Sequence, residues 1–317
     1  MADPGRPFFS ICIPAYKNPG YLKRLLDSLA EQTFRDFELI ISDDSPDESI
    51  SELIAGYIMF PSVVYFKNAP ALGTPANWNA GIRKARGEWI KLMHDDDWFA
   101  SPKSLELFAK AVKANKDASF IFSAYKNVNA EDDKVEPGEL IRPESFRLKQ
   151  TMKNPVSLLS KNIIGPPSVT IHKNDQQHFY DPALKWLVDM DFYIRFLNDG
   201  GKVSYIDEPL INIGISALQV TKSSSLVREV EIPEHFHILE KTGTTHLKNL
   251  LVFDAWWRLF RNLKIRSVAE IEEAGYKGVV PAVLQKMIAF QKRFSYTTLK
   301  KGPVSKLLMM ICYIMPG

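Results

Sequence analysis

Two absences restrict the class of protein before any motif is considered. The 317-residue chain has two cysteines, Cys12 and Cys312, which stand near opposite ends and are expected to be reduced. No stretch reaches the roughly 20 apolar residues that a membrane-spanning helix needs. The short polar start, Met1 to Pro7, lacks the apolar segment of a secretory signal. These features argue against a disulfide scaffold and an integral membrane protein, and we predict a cytoplasmic location.

Two glycine-rich phosphate-binding motifs are also missing. The first predicted strand is not followed by Gly-x-Gly-x-x-Gly, and Gly-x-x-x-x-Gly-Lys-Ser/Thr occurs nowhere in the chain. Both motifs bring backbone N–H groups close to phosphates, and each marks a particular enzyme class. Their absence argues against dinucleotide-dependent oxidoreductases and P-loop nucleotidases.

Acidic residues are missing from the end of the chain. The net charge is +3, but no Asp or Glu follows Glu273. The cations that follow it are Lys277, Lys286, Lys292, Arg293, Lys300, Lys301 and Lys306. We expect this basic tail to meet an anionic partner, either phospholipid head groups or a polyphosphate.

The apolar run Leu307–Met315 at the end of the tail is too short to span a bilayer. It packs on the body of the protein, caps an oligomer, or lies in the membrane interface beside its basic neighbours. We favour the interface, with residues 284–317 making a peripheral membrane contact.

Short apolar runs alternate with helical patterns through the first half of the chain. Strands are predicted at Phe8–Ile13, Phe37–Ser42, Val63–Phe66, Trp89–Met93 and Ala118–Val128. Between the first two, Asn18 and Pro19 open a helix with leucines on one face, and Ser49–Met59 is also predicted to be helical. This alternation predicts a parallel α/β sheet wound on both sides. A last strand is expected at Lys202–Asp207, with a loop from Pro209 to Thr221.

Carboxylates follow two of these strands, at Asp43–Asp44 and at Asp95–Asp97. Ligands of open α/β sheets collect at the carboxyl ends of the strands. Three adjacent anions repel one another unless a cation binds them, and hard oxygen ligands suit Mg²⁺ or Mn²⁺. The pattern predicts a nucleotide site, with one turn reading the base or ribose and the other holding a metal on the diphosphate. The alternative is that both turns only cap the following helices.

Several motifs in a fixed order resemble the family 2 glycosyltransferases. They are Ile13-Pro14-Ala15-Tyr16, Gln32-Thr33-Phe34, Ile41-Ser42-Asp43-Asp44-Ser45, Asn79-Ala80-Gly81-Ile82, Ala85-Arg86-Gly87-Glu88-Trp89 and the Asp95–Asp97 triplet. The resemblance covers about residues 8–220. It implies a GT-A fold, which is a Rossmann-like, mostly parallel sheet flanked by helices. It also implies inverting transfer of a sugar from a nucleotide-diphospho-sugar, assisted by Mn²⁺ or Mg²⁺.

The resemblance also implies a set of donor-site residues. The nucleotide-binding residues are Pro14, Ala15, Tyr16, Asp44, Asn79 and Asp95. Asp44 is the expected partner of the base, while Asp43 braces the loop, and Asp95 contacts the ribose. His94 stands where relatives have the first Asp of their metal motif. Asp96 then takes the metal-ligand place, and Asp97 is a second or alternative ligand.

A second constellation lies at Trp186–Phe196, where helical spacing begins at Asp189. It resembles the family segment Glu-Asp-x-Asp-(x)3-Arg. The resemblance makes Asp189 the catalytic base, with Asp191 as runner-up on the acceptor side and Trp186 as an acceptor contact. The alternatives are that Asp189 only caps the helix and that Trp186 belongs to the core.

We expect a catalytic domain over 1–225, with a nucleotide half at about 8–128 and an acceptor half at about 129–225, and then a helical region at 226–317. The expected partners are a UDP-, dTDP- or GDP-linked donor and a glycan or lipid-linked acceptor, without nucleic acid. The leading interpretation is a glycosyltransferase, hexosyl or related, of bacterial cell-surface polysaccharide or glycolipid assembly.

Two other functions remain open. A sugar-nucleotidyltransferase would need a glycine-rich cationic loop after the first strand, and Pro14–Asn18 contains no glycine. A sugar-nucleotide-binding protein without catalysis would keep the donor site and lack a working base.

Overall fold

The computed structural model describes residues 5–60, 62–129, 138–215 and 226–315. Its strands are β1 (Phe9–Ala15), β2 (Phe37–Asp43), β3 (Val63–Lys67), β4 (Trp89–Leu92), β5 (Trp98–Phe99), β6 (Phe120–Asn129), β7 (Glu139–Ile141), β8 (Thr170–Lys173) and β9 (Val203–Ile215). Its α-helices are α1 (Pro19–Ala30), α2 (Ser49–Ala55), α3 (Ala76–Lys84), α4 (Ser104–Ala114), α5 (Ser145–Lys153), α6 (Val188–Asn198), α7 (Arg228–Thr242), α8 (Leu250–Asn262), α9 (Val268–Glu273), α10 (Ala282–Gln291), α11 (Tyr296–Lys300) and α12 (Gly302–Ile314).

The strands form one mixed sheet in the order β3-β2-β1-β4-β8-β6-β9-β5, with β7 paired to β6. The first four strands pair in parallel, which confirms the predicted α/β alternation. β8 is antiparallel to both β4 and β6, and β9 runs parallel to β6. The carboxyl ends of β1, β2 and β4 therefore lie side by side at one edge of the sheet.

Alternation along β1 divides the core between the two faces of the sheet. Phe9, Ile11 and Ile13 pack on one face with α1 and α4. Cys12 packs on the other face, in a core that continues through α6 into the C-terminal helices and includes Cys312. Both cysteines are buried and unpaired, as expected. The C-terminal helices thus complete the core of the sheet.

Local signals located α1 correctly. Asn18 is its N-cap and accepts a hydrogen bond from Tyr21 N at 3.1 Å, with Pro19 in the first turn. The leucines of α1 are buried, as their spacing predicts. Among the described residues, every helix is too short or too polar to cross a bilayer.

The domain boundaries stay a prediction. Residues 216–225, where the catalytic domain was expected to end, lie outside the described part of the chain. The elements described after residue 225 are helices, as predicted.

Two predicted boundaries were wrong. Helix α2 ends at Ala55 instead of Met59, and Ile58 and Met59 beyond it are exposed. The loop predicted from Pro209 to Thr221 is strand as far as Ile215, where β9 ends, and its remaining residues, 216–221, lie outside the described part of the chain. A register shift in the pairing with β6, near Ala124, accommodates the proline, which cannot donate a ladder hydrogen bond.

The turn that leads into β4 is held by a buried carboxylate. Glu38 on β2 is fully buried and accepts hydrogen bonds from Ser10 Oγ at 2.6 Å, Arg86 N at 2.6 Å and Gly87 N at 3.1 Å. These bonds and the Arg86 guanidinium lower the pKa of Glu38 against the opposing effect of burial, which is the largest single cause acting on it. Glu38 therefore fixes where β4 starts, and so where the acidic triplet after it lies.

We predict that Gly87→Ala destabilises the fold. A Cβ at this position would lie 2.6 Å from Ser10 N and 2.7 Å from the Phe9 carbonyl carbon, so the backbone of β1 must shift. We expect a loss of about 1–3 kcal/mol in the free energy of unfolding, measured by chemical denaturation. Gly20→Ala is the matched control, because its Cβ meets no atom closer than 3.6 Å within α1. Equal stabilities of the two variants would contradict the prediction.

Candidate active site

Two hydrogen bonds join the carboxyl ends of β1, β2 and β4. Asp44 N donates to Ala15 O at 3.0 Å, and Tyr16 N donates to Asp95 Oδ2 at 3.1 Å. The structure thus brings Pro14, Ala15, Tyr16, Asp44 and Asp95 to one edge of the sheet. The Tyr16 side chain is 52% exposed there, and Lys17 Nζ lies 4.8 Å from the centroid of its ring.

The two carboxylates after β2 have different surroundings. Asp43 accepts from Ser45 N at 2.8 Å and from the Tyr65 hydroxyl at 2.9 Å, so it braces its own turn. Asp44 accepts from Asn68 Nδ2 at 2.8 Å and from the backbone of residues 72 and 73 at 3.1 and 2.7 Å. A carboxylate offers about four acceptor positions. Asp44 holds the 68–73 loop and still has capacity for one more donor.

The acidic triplet divides into two parts. Asp95 faces the end of β1, whereas Asp96 and Asp97 form a group with His94 in which one ligand atom from each residue lies within 4.8 Å of the others. Asp97 Oδ1 accepts from Gly214 N at 3.1 Å, and Ser168 donates to the Asp97 carboxylate. The structure therefore brings the predicted ligands Asp96 and Asp97 together and adds His94, which was not predicted as a ligand.

This donor set fits a divalent cation. The Nε2 atom of His94 is buried and has no hydrogen-bond partner within the described residues. Burial and repulsion by Asp96 raise the pKa of Asp95 to about 7 and raise the pKa of Asp97 well above its ordinary value. Burial also lowers the pKa of His94, so its imidazole is neutral and able to coordinate a metal. A cation would remove the repulsion between these carboxylates and give the orphaned nitrogen a partner.

A buried lysine lies beneath this group. Lys91 is fully buried on β4, and its Nζ donates to the carbonyl oxygens of Ser168 and Thr170. Burial lowers the pKa of Lys91 to about 7, although the negative charge of Asp97 opposes this shift. The apolar neighbours of Lys91 made it look like part of an ordinary core strand. Its proximity to the triplet, four residues before Asp95, was the available signal.

Asp189 lies in the first turn of α6, and Leu187 is the N-cap of that helix. Its Oδ2 accepts from Asn162 Nδ2 at 2.8 Å, and its Oδ1 accepts from Met190 N at 2.8 Å. Burial raises the pKa of Asp189 to about 6. Asp189 is a first-turn residue and its carboxylate binds the free N–H of Met190, so the alternative that it only caps the helix stays a prediction beside its role as base.

One short segment connects Asp189 to the acidic group. Asn162 contacts Asp189, and Ser168, six residues later, contacts Asp97. Six residues span at most about 20 Å, even fully extended. Between the two contacts, Gly165 adopts φ +103, and a Cβ there would lie 2.7 Å from Cε1 of Tyr125. The charges of Asp189 and Asp97 both act on Tyr125 and raise its pKa, after burial. Both clusters therefore lie near Tyr125 and are joined by the 162–168 segment.

Three other predicted residues make contacts inside the protein. The Asn79 amide pairs with the backbone of Tyr180, at 2.7 Å to its carbonyl oxygen and 2.9 Å to its nitrogen. Asp191 is 1% exposed and forms ion pairs with Arg195 at 2.8 Å and Lys241 at 2.7 Å. Trp186 is half-buried against the core. The side chains of Asn79 and Asp191 are therefore already engaged in contacts within the protein.

Comparisons with known proteins agree on one class. Residues 10–166 match the family model described as glycosyl transferase family 2. An uncharacterized glycosyltransferase of Methanocaldococcus jannaschii is 28% identical over 222 residues, which are 68% of this chain and 73% of that protein. The chondroitin synthase of Pasteurella multocida is 29% identical over 206 residues, which are 65% of this chain and 20% of that protein.

A solved structure with the same fold is the mannosyltransferase PcManGT from Pyrobaculum calidifontis, in complex with GDP-Man and Mn²⁺. It aligns with a TM-score of 0.57 over 98% of this chain and 85% of that chain, at 14% sequence identity. At this identity the likeness establishes the fold alone. It confirms the expected GT-A architecture.

We predict that Asp97→Asn weakens Mn²⁺ binding by at least about tenfold, because an amide carries no charge to offset that of the cation. Isothermal titration calorimetry with MnCl₂ alone measures this without any substrate. Asp117→Asn is the control, because Asp117 is an exposed carboxylate that pairs only with Lys202 among its described contacts. Equal manganese affinity in the Asp97 variant and the wild type would show that this group is not the metal site.

Proposed function

We propose that the chain transfers a sugar from a nucleotide-diphospho-sugar to an acceptor hydroxyl with inversion. The proposal proceeds from the match of residues 10–166 to glycosyl transferase family 2. One observation carries this proposal. A group that can hold a cation, His94, Asp96 and Asp97, is joined by the 162–168 segment to Asp189, a carboxylate of raised pKa.

The donor nucleotide lies along the carboxyl ends of β1, β2 and β4 in this proposal. Tyr16 stacks on the base, with Pro14 and Ala15 beside it. Asp44 offers its remaining acceptor position to a base N–H, and Asp95 contacts the ribose. Asn79 acts indirectly, because its amide fixes Tyr180, whose ring packs on Trp78 beside His94. The base is that of UDP, dTDP or GDP.

His94, Asp96 and Asp97 hold the divalent cation. An imidazole nitrogen beside carboxylates favours Mn²⁺ over Mg²⁺, which prefers oxygen ligands. When bound, the cation supplies Lewis-acid stabilisation of the charge on the departing diphosphate. Lys91 beneath the group balances part of its negative charge before the cation enters.

Asp189 is the proposed general base. The acceptor oxygen forms a bond to the anomeric carbon while the bond from that carbon to the diphosphate oxygen breaks on the opposite face, which inverts the configuration. The proton of the acceptor hydroxyl moves to a carboxylate oxygen of Asp189. Asn162 holds the other side of this carboxylate and so aims it. Trp186 and Asp191 are kept as acceptor-side residues, with Asp191 acting through its ion pairs.

We predict that Asp189→Asn lowers kcat by about 10²- to 10⁴-fold, because the amide cannot accept the proton. In the wild type, kcat/KM should fall as the pH drops below about 6, since protonation of Asp189 removes the base. Both effects are measured as the rate of product formation from a panel of UDP-, dTDP- and GDP-sugars with Mn²⁺. The rise in melting temperature caused by the bound nucleotide should persist in the variant and serves as the control. Unchanged turnover in the variant would remove Asp189 from this role.

The class of product is proposed to be a cell-surface polysaccharide or glycolipid, with a glycan or lipid-linked acceptor. The similarity to a chondroitin synthase supports glycan assembly. The family match and the glycine-free turn after β1 argue against a sugar-nucleotidyltransferase. Nucleotide binding without any turnover in the wild type would instead favour the silent binding protein.

The C-terminal helix supports the proposed membrane contact at 284–317, and with it a peripheral location on the cytoplasmic face. One face of α12 is buried through Ser305, Met309 and Cys312. The exposed apolar residues on the rest of the helix are Val304, Leu307, Met310, Ile311 and Ile314. Lys301 and Lys306 are exposed nearby, and this segment has no acidic residue. An apolar stripe beside cations suits a membrane that contains anionic lipids.

We predict that Leu307→Glu combined with Ile314→Glu abolishes flotation with anionic vesicles, because these two side chains are 62% and 72% exposed on α12. The wild type should float with vesicles of phosphatidylglycerol and phosphatidylcholine, and less so in high salt. Ile58→Glu is the control, since Ile58 is 90% exposed but lies beyond α2. Failure of the wild type to float, or undiminished flotation of the double variant, would contradict the membrane contact.

A further inference from the structure

One face of α7 carries polar side chains that point to the segment containing Asp189. Glu234, His237 and Lys241 are spaced by three and four residues, so they share one side of the helix. Their partners all lie between Asp181 and Asp191, on the approach to α6 and in its first turn. The other side of α7 packs Phe236 against Trp256 of α8.

Glu234 takes the role of a cap for α6, although it comes from a different helix. Its Oε1 accepts from Lys185 N at 2.7 Å and from Trp186 N at 3.2 Å. Its Oε2 accepts from Trp186 N at 3.0 Å and from Leu187 N at 2.8 Å. The first N–H groups of a helix have no partner within it, and Leu187 at the N-cap offers no side-chain oxygen. Of these helix donors, Glu234, only 5% exposed, binds the N–H of Leu187, and it also binds the N–H groups of the two residues before it, in a charge-assisted way.

Lys241 and His237 bind the same segment at carboxylates that lie before and after the Glu234 contacts. Lys241 donates to Asp191 at 2.7 Å and also to Asp181, and His237 Nε2 lies 2.8 Å from the Asp181 carboxylate. Arg195 completes the neutralisation of Asp191, and its guanidinium also donates to Phe179 O at 2.7 Å. The first turn of α6 is therefore held on both sides of Asp189, at residues 185–187 and at residue 191.

We infer that the Glu234–His237–Lys241 face of α7 is a clamp that positions the Asp189 carboxylate for catalysis. The inference rests on the proposed role of Asp189 and gives the C-terminal helices a part in the reaction. Asp189 is the second residue of a helix whose N-cap, Leu187, offers no side-chain oxygen. A shift of that helix start by about 1 Å would misplace the base relative to the acceptor hydroxyl, and a displacement of that size can cost up to about 100-fold in rate. Glu234 and Lys241 are positioning residues, because they act through α6.

The clamp predicts a loss in kcat without a loss in donor binding. Glu234→Gln keeps the shape of the side chain, but its amide N–H₂ meets backbone N–H donors and its charge is lost. We expect kcat to fall about 10- to 100-fold, while the donor KM and the rise in melting temperature with nucleotide stay within twofold. Glu229→Gln is the matched control, since Glu229 is exposed on the same helix and its side chain makes no hydrogen bond or ion pair among the described residues. Its kcat should equal that of the wild type.

Lys241 offers a second, independent variant. Lys241→Met removes the ion pairs to Asp181 and Asp191, and should lower kcat with the donor KM unchanged. Lys241→Arg keeps the charge and should restore most of the rate. Hydrogen exchange at residues 185–190 should be faster in Glu234→Gln and Lys241→Met than in the wild type, and it reports on the clamp without any activity measurement.

The outcomes separate the clamp from the proposed function. If Asp189→Asn retains turnover, the role of the base fails. If that variant is inactive but Glu234→Gln and Lys241→Met keep wild-type kcat and wild-type exchange at residues 185–190, the clamp is overturned. A parallel loss of melting temperature, donor binding and kcat would also overturn it, because that pattern belongs to a general role in folding.

Discussion

The crowding of carboxylates at the carboxyl end of β4 is the constraint on which the rest of the site depends. Asp95, Asp96 and Asp97 follow one another in a place where burial penalises the ionised forms of Asp95 and Asp97. Hydrogen bonds donated by Tyr16, Ser168 and Gly214 offset part of this penalty. These donors come from the residue that follows β1, from the segment before β8 and from β9. The carboxylates of this one turn thus make hydrogen bonds to three separate parts of the sheet.

The same segment that supports the acidic group also supports the base. Ser168 contacts Asp97 and Asn162 contacts Asp189, so one stretch of chain sets the separation of the two chemical groups. Gly165 lets that stretch pass close to the ring of Tyr125, where a larger residue would not fit. From the other side, α7 holds the start of α6 through Glu234. The C-terminal helices share the core of the sheet and complete the support of α6.

Much of the sheet and part of the site could be predicted from sequence, because the signals were local. The Asn18 cap and the leucine spacing located α1, and the run before the acidic triplet located β4. The prediction was wrong at Pro209 because the missing N–H of proline usually ends a strand, whereas here unpaired residues of β9 beside Pro209 shift the register with β6. His94 and Lys91 were missed because a histidine beside a triplet and a lysine inside an apolar strand have many uses in proteins. Only their burial against Asp96, Asp97 and Ser168 distinguishes them.

By itself, the sequence determined the order of strands and helices, the placing of carboxylates at strand ends and the basic, apolar character of the tail. These are properties of neighbours along the chain, governed by periodicity, capping and composition. The tertiary structure alone decided that Asp95 faces the end of β1 while Asp96 and Asp97 lie beside His94. It also decided that Asp191 forms ion pairs with Arg195 and Lys241. Which groups share a low-dielectric space depends on contacts between residues far apart in the chain. No local pattern encodes those contacts.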